Sequence, residues 1–357
     1  MSDYMFGVIM AGGQGSRLYP LTANRPKPMV EVIGRPVIEY VKDAMVDAGV
    51  SNIIVTTGYK GDMLEELVDG WCSEESQLEK SSVNQESTPM GTAGSVRLLL
   101  DQLQDTFIVG SGDSVLSCDL KKLVERHKTS NAKVTMALWE VENPSEFGIV
   151  GLSEQQSGEV DGSLEEGYVV RFKEKPKAEE AFSNVINAGL YIIEPEALAL
   201  VPEGEKYDFS KQLFPKLLEM GWPIYAKKID GVWFDVGSPG ELIRAQQVLM
   251  SSRDSLPFPM PKGKVIGSNG FEFEDSDSKG ENQGSVISSG VCTGEHSIIS
   301  NSLIMSRSVV GDNCKIEKSV IGQNVSIEDS CSLSNCVIGD NVVVEKGTIL
   351  ENSKLGV

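Results

Sequence analysis

The sequence predicts an α/β layered domain followed by a parallel β-helix. Three observations carry this: strand-like and helix-like segments alternate over residues 5–250; a glycine-rich turn follows the first apolar run; and from Val286 onward apolar residues return every six positions. At 357 residues the chain exceeds a typical single domain and can bury a core of normal size. The expected division is a first domain over 1–250, a partly disordered linker over 251–284 and a β-helix over 285–357.

Met5–Met10 reads as a buried strand ending in the turn Gly12-Gly13-Gln14-Gly15. Pro36 is expected to open a helix at its favoured first position, with Val37, Ile38, Val41, Met45 and Ala48 on one face. Ile53–Thr57 is a second buried strand and Asp62–Val68 a short helix. Phe107-Ile108-Val109 is a further strand, running into Gly110-Ser111-Gly112-Asp113. Asp119 then caps a helix with Leu120, Leu123 and Val124 on its apolar face. In open parallel sheets ligands bind beyond the carboxyl ends of strands, where both the glycine turn and Asp113 fall.

Residues 251–284 change character. Ser251–Pro261 is proline-rich and Phe271–Gly284 acidic and polar, which reads as a linker with a poorly ordered middle. The six-residue rhythm then runs Val286, Cys292, Ile298, Ile304, Val310, Ile316, slips by one to Ile321, Ile327, Leu333, and slips again to Ile338, Val344, Leu350. Such a period implies a triangular β-helix of roughly four coils, each about eighteen residues long, with an apolar residue at each inner corner.

Net charge is −20, which argues against nucleic acid or an anionic membrane as partners and predicts tolerance of high salt. Residues 1–42 are the exception, with Arg17, Arg25, Lys27, Arg35 and Lys42 against Asp3, Glu31 and Glu39; a basic segment at the glycine turn suits an anionic substrate. No apolar run approaches the ~18 residues of a membrane span, and Met1-Ser2-Asp3-Tyr4 has no basic leader, so a cytoplasmic protein is expected. The six cysteines form no C-x-x-C pair and read as reduced core residues.

A strand ending in a glycine turn, followed by fixed cations, is equipment for holding a nucleoside triphosphate. Glycine lets backbone N–H groups approach phosphates, and Arg17 and Lys27 supply full charges, one a planar fork and the other a point charge. The dinucleotide fingerprint fails because Leu18 stands where its third glycine belongs. The P-loop fails because Lys27 comes twelve residues after Gly15. Residues 12–28 instead resemble the G-G-x-G-[ST]-R-L-x-P-L-T-x-x-x-x-K-P signature of sugar-1-phosphate nucleotidyltransferases, the nucleotide-sugar pyrophosphorylases.

Further segments extend the resemblance. Pro89–Gly94 is similar to the family's base-facing P-x-G-T-A-G loop, and Gly110–Asp113 to its metal motif, with Ser111 where the family commonly has Asn. Phe172–Pro176 resembles F-x-E-K-P, whose lysine holds the sugar phosphate. Asn187–Tyr191 resembles the strand lining the sugar pocket, and Trp233–Pro239 the segment whose aspartate is the second metal ligand. The resemblance implies a Rossmann-like mixed, mostly parallel sheet with helices on both faces, and a left-handed β-helix. It implies nucleotide binding by Met10, Ala11, Gly12, Gly13, Gly15, Ser16, Arg17, Gly91 and Thr92, with Gln85 or Glu86 reading the base and Glu86 at the usual offset from Gly91. Sugar-phosphate binding falls to Gly148, Glu174, Lys175, Asn187 and Gly189.

The implied reaction is Mg²⁺-dependent transfer of a nucleotidyl group from a nucleoside triphosphate to a sugar 1-phosphate. Phosphoryl-type transfer needs charge neutralisation and in-line positioning more than covalent help. Asp113 and Asp235 would hold the metal, Arg17 and Lys27 neutralise the triphosphate, and Lys175 the sugar phosphate. The chain has only two histidines, His127 and His296. That scarcity suits a nucleophile already anionic at neutral pH better than a hydrolysis needing a positioned base. The Gly-Thr-Ala-Gly loop and Arg-Pro-Lys-Pro-Met-Val lean toward mannose-1-phosphate guanylyltransferases, while Tyr19 is common in thymidylyl enzymes; a thymidylyl- or uridylyltransferase acting on glucose 1-phosphate stays open. Two other readings remain: a silent regulatory subunit that binds nucleotide sugar, and a hexapeptide acyltransferase using His296. Homo-oligomer contacts are expected through or beside the β-helix.

Overall fold

The computed structural model describes residues 5–58, 60–258 and 260–356. Met1–Tyr4, where the sequence reading finds no leader, Tyr59, Pro259 of the proline-rich segment and Val357 lie outside the described residues. The chain forms two compact units. One combines residues up to Gly12 with Tyr40–Trp233, and the other combines Gly13–Glu39 with the chain from Phe234 onward. The sequence reading kept all of 1–250 together. The difference arises because the glycine-turn segment makes its hydrogen bonds with residues some 300 positions away, which no local pattern reveals.

The first unit is built on a nine-stranded sheet. Its strands are β1 (Met5–Met10), β2 (Val50–Thr57), β3 (Lys80–Gln85), β4 (Phe107–Ser111), β5 (Val134–Glu140), β6 (Gly148–Ser153), β7 (Glu166–Glu174), β8 (Val185–Ile193) and β9 (Ile224–Lys228). They lie in the order β3-β2-β1-β4-β8-β5-β9-β7-β6. The first four are mutually parallel; β8 runs antiparallel to both β4 and β5, β9 is parallel to β5, and β7 is antiparallel to β9 and β6. The sheet is therefore mixed, and its parallel half holds the strand ends that the sequence marked as binding positions.

Val8, Val109, Met136, Tyr191, Phe209 and Phe214 belong to one buried cluster. Helix Gly61–Glu74 buries Leu64, Val68 and Trp71, one stripe at helical spacing. Helix Leu120–Ser130 begins where the Asp119 carboxylate accepts from Lys121 N at 3.1 Å, and ends at Asn131 in the left-handed conformation. Pro36 closes a two-residue strand, Arg35–Pro36, and the helix starts one residue later at Val37. Pro36 pairs with Glu31, which keeps it extended.

In the second unit three sheets of parallel strands form the hexapeptide-repeat β-helix. From Val286 onward each coil advances by 17 residues, so Ile287 pairs with Ile304, Ile304 with Ile321 and Ile321 with Ile338. The inward residues of one coil are Ile287, Thr293 and Ile299, followed by Ile304, so one step per coil has five residues. The expectation of eighteen missed this step in the first coil because Ile298 and Ile299 are both apolar. Cys292 and Ile298, expected at inner corners, are instead exposed. Cys314, Cys331 and Cys336 are buried as read, while Cys72 and Cys118 are half-buried. At the short corner a serine column satisfies the buried backbone: Ser302 N donates to Ser285 Oγ, Ser319 N to Ser302 Oγ and Cys336 N to Ser319 Oγ, each at 3.0 Å.

Residues 251–284 are not a disordered linker. They contain the hairpin Gly263–Ile266 with Gly270–Phe273, and the strands Asp277–Ser278 and Glu281–Gln283 join the β-helix sheets. These polar residues are ordered because short coil strands satisfy their backbone through the next coil and need few apolar side chains of their own.

Candidate active site

In the second unit the chain turns at Gly15, whose φ is +64°. A Cβ there would fall 2.8 Å from Lys27 Cβ and 2.9 Å from Thr22 Cγ2, so only glycine fits. Thr22 Oγ1 donates to Gly15 O at 3.0 Å and fixes the turn. Ser16 and Arg17 follow, exposed, in a single 3₁₀ turn; Gly13 has open space around it.

Lys27 is buried, and its Nζ donates to Asp235 Oδ1 at 3.0 Å. Arg17 Nη2 stands 3.8 Å from Asp235 Oδ2, with 59% of its side chain exposed. A Cβ on Gly237 would come 2.8 Å from Arg17 Nη2, so this glycine leaves room for the guanidinium. Three predicted residues, Arg17, Lys27 and Asp235, are thus brought together as two cations on one carboxylate.

The other predicted residues lie in the first unit. Ala11 N donates to Thr56 O at 2.7 Å and Gly112 N to Met10 O at 2.9 Å, which ties the end of β1 to its neighbours. Glu86 Oε2 accepts from Ser95 Oγ at 2.8 Å and Met90 N at 3.3 Å. Its Oε1 lies toward Gly12, 3.4 Å from where a Cβ on that glycine would stand. The loop at Gly91, with φ +73°, is held because Ala93 N and Gly94 N both donate to Tyr207 O at 2.9 Å. Thr92 Oγ1 donates to Asp208 Oδ1 at 3.3 Å and accepts from Phe209 N at 3.0 Å. Asp113 lies two residues past the end of β4, and its Oδ1 accepts from Ser111 Oγ at 2.6 Å.

Around β7 and β8, Lys175 takes a left-handed backbone, φ +44°, immediately before Pro176. A residue before proline ordinarily stays extended, so this conformation is held by its surroundings; Lys175 N donates to Phe147 O at 2.9 Å. Its Nζ is 4.0 Å from Glu146 Oε2. Burial raises the Glu174 carboxyl above its ordinary value, opposed by Lys175 and Lys211. Gly148 is required beside it, since a Cβ would meet Phe172 Cζ at 2.6 Å and Glu174 Oε2 at 2.8 Å. Gly189 N donates to Asn187 Oδ1 at 2.9 Å, and Asn187 Nδ2 donates to Tyr191 Oη at 2.7 Å. The β8–β5 register shifts between Asn187 and Tyr191, a bulge of the kind found beside binding sites.

Asp208 and Ser95 support these residues and were not singled out in the sequence. Ser95 directly follows the Gly-Thr-Ala-Gly run, a usable signal; Asp208 sits in a charged stretch with none. His296 lies exposed at a left-handed turn of the β-helix. Among the described residues no group of three or more His, Cys, Asp or Glu side chains gathers. Mg²⁺ needs no such group, because it retains waters and takes phosphate oxygens alongside one or two carboxylates. Asp113 and Asp235 each carry the hard carboxylate oxygens that such a donor set uses.

A glycine turn carrying two cations, at the end of a parallel strand in a mixed α/β sheet, belongs to an enzyme that handles nucleotides. Residues 6–252 match the nucleotidyl transferase family, and the chain belongs to that family. Residues 268–353 match the GlmU-like C-terminal hexapeptide. A mannose-1-phosphate guanyltransferase from Saccharomyces cerevisiae is 33% identical over 268 residues, covering 74% of this chain and 69% of the yeast protein. The mannose-1-phosphate guanylyltransferase catalytic subunit beta of Xenopus tropicalis is 32% identical over 252 residues, 70% of this chain and 65% of its own length. A UTP–glucose-1-phosphate uridylyltransferase from Synechocystis is 30% identical over 261 residues, 69% and 64%. Among the described residues no helix is long and apolar enough to cross a membrane.

Proposed function

We propose that this nucleotidyltransferase joins a nucleoside triphosphate to a sugar 1-phosphate, with GTP and mannose 1-phosphate as its preferred pair. A phosphate oxygen of the sugar 1-phosphate attacks the α-phosphorus, the bond between that phosphorus and the α–β bridging oxygen breaks, and pyrophosphate leaves with the electron pair. The attacking phosphate has its second pKa near ~6 and is already anionic at neutral pH, so no base is required. Arg17 and Lys27 bind the triphosphate, and Lys175 the sugar phosphate. Asp113 and Asp235 are the residues that would hold Mg²⁺, which would supply further neutralisation of phosphate charge. Lys27 and Arg17 are both aligned on the Asp235 carboxylate, at 3.0 and 3.8 Å, which sets the two cations side by side.

The observation that carries the choice of base is the Glu86 carboxylate. Its Oε2 is occupied by Ser95 Oγ and Met90 N, and its Oε1 stands 3.4 Å from where a Cβ on Gly12 would lie. A carboxylate only accepts hydrogen bonds. Guanine offers it adjacent donors, N1–H and the 2-amino group. Adenine opposes it with an acceptor at N1, and uracil or thymine offers a single N3–H. The names of the yeast and frog relatives agree with guanine, and that of the Synechocystis relative supports uracil and glucose 1-phosphate as a second reading. A cytoplasmic setting, where nucleoside triphosphates are supplied, is part of the proposal. So is self-association beside the β-helix, supported by the outward-facing Val309 and Val343, 47% and 59% exposed.

Pyrophosphate release is the test, measured with and without Mg²⁺ for GTP, dTTP, UTP, CTP and ATP against mannose, glucose and N-acetylglucosamine 1-phosphates. One Mg²⁺-dependent pair dominated by GTP and mannose 1-phosphate is expected. A UTP–glucose maximum selects the second reading, and a blank grid with nucleotide sugar still bound identifies a regulatory subunit.

A further inference from the structure

The glycine-turn segment carries more polar contacts to the β-helix than its own chemistry requires. Arg25 Nη2 donates to Asp340 Oδ2, 315 residues away, and the two side chains are 8% and 7% exposed. Asp340 belongs to the coil segment Ile338-Gly339-Asp340-Asn341, one of three visible copies of the same repeat. Its Oδ1 does what the repeat elsewhere does, accepting a backbone N–H of the preceding coil: Gln323 N at 2.8 Å, as Asp312 Oδ1 accepts Glu295 N at 2.8 Å. The second oxygen sets Asp340 apart, because it is committed to Arg25. Glu31 is held on the same side, its Oε1 accepting from Gln323 Nε2 at 2.7 Å and its Oε2 from Ser306 Oγ at 3.2 Å. Lys354 Nζ donates to the backbone oxygen of Arg17 at 3.1 Å. Pro20 occupies space left by two coil glycines, since a Cβ on Gly356 or Gly339 would stand 2.6 or 3.1 Å from Pro20 Cβ.

We propose that Asp340 is a positioning residue for nucleotidyl transfer: through Arg25 it locks the segment bearing Arg17 and Lys27, so the β-helix sets the geometry of the triphosphate cations. A buried ion pair is weak evidence for stability, and its best-attested use is to fix register. Here the register concerns Lys27, two residues beyond Arg25, and Arg17, whose own carbonyl is held by the last described coil strand, Lys354–Leu355. Electrostatic stabilisation of transferring phosphates depends on such preset cations.

The inference rests on the proposed role of Arg17 and Lys27, so the experiment separates the two. Steady-state constants are measured for the wild type, Asp340→Asn, Lys354→Ala, Lys27→Ala and the remote surface variant Lys346→Ala, using the triphosphate that the wild type turns over best. Hydrogen–deuterium exchange of residues 13–31 is followed in parallel. Asp340→Asn should reduce kcat/KM for the triphosphate on the order of 10- to 100-fold, the cost of misplacing groups at the reacting centre. KM for the sugar 1-phosphate should stay unchanged, and exchange should rise within 13–31. Lys354→Ala, exposed and so able to fold, should move the same quantities less, and Lys346→Ala not at all. If Lys27→Ala cripples triphosphate use while Asp340→Asn, folded, matches the wild type in both kinetics and exchange, the positioning role is overturned. If Lys27→Ala has no effect, the cation assignment fails instead. If the wild type turns over no triphosphate, the proposed function fails, and unchanged exchange over 13–31 in Asp340→Asn overturns the lock as well.

Discussion

Lys27 Nζ donates to Asp235 Oδ1 at 3.0 Å, although 208 residues separate the two in sequence. The lysine is buried and the aspartate about a quarter exposed, with its Oδ2 turned toward Arg17 Nη2 at 3.8 Å. Asp235→Asn keeps the shape and removes the charge, leaving Lys27 in a buried place beside a neutral partner. Turnover should fall by roughly 10²–10³, the cost typical of losing one preset electrostatic group, while the circular dichroism spectrum stays native. Wild-type turnover in this variant would remove Asp235 from the mechanism.

Glu86→Gln probes the base. The amide keeps the size of the side chain but replaces a charged acceptor with one oxygen and one donor. Loss of a hydrogen bond to a charged group corresponds to about 1.5–3 kcal/mol. The specificity ratio of GTP over UTP should drop correspondingly, roughly tenfold to hundredfold. An unchanged ratio would show that guanine is read elsewhere.

Gly91→Ala tests the loop beside it. With φ +73° and a Cβ 2.7 Å from Tyr207 O, the substitution strains the backbone and pushes on the carbonyl that holds Ala93 N and Gly94 N. A cost of about 1–3 kcal/mol is expected, read as a lowered midpoint in urea unfolding with a raised KM for the triphosphate. Wild-type values for both would mean that the loop adapts at no cost.

His127 makes stability depend on pH. It is 4% exposed, with Nε2 at 2.9 Å from Glu194 Oε1 and Nδ1 at 2.8 Å from Thr135 Oγ1. Burial lowers its pKa below the ordinary 6.5, and Glu194 only partly opposes this. As pH falls through 6.5 the unfolded chain takes up the proton first, so stability is full above that value and declines below it, by at most about 1.4 kcal/mol per pH unit. Urea unfolding at pH 7.5 and 5.5 should show a smaller acid loss for His127→Gln than for the wild type. Equal losses would assign the acid sensitivity to other groups.

The strands that lead into the Gly12 turn and into Asp113, the capped helix at Asp119 and the repeat after Ile304 were legible from sequence, because each is specified by residues close together in the chain. Arg17, Lys27, Asp113, Lys175 and Asp235 were marked out by the motifs their neighbours form. The coil length was not legible, since adjacent apolar residues at Ile298 and Ile299 hide a five-residue step that becomes clear only when Ile299 turns inward and Ile298 outward. Nor was the order of residues 263–283, where backbone pairing between coils does what apolar side chains do elsewhere.

By itself, then, the sequence determined the elements, the repeat and the residue types at the site, all of which follow from short-range spacing and side-chain chemistry. Only the tertiary structure decided that Asp235 faces Lys27 and Arg17, that Ser95 orients Glu86, and that Arg25 is spent on Asp340 rather than on substrate. Those pairings span from 9 to 315 residues. Charge and hydrogen-bonding capacity can be read along a chain, but which donor meets which acceptor is set by how the coils and strands pack.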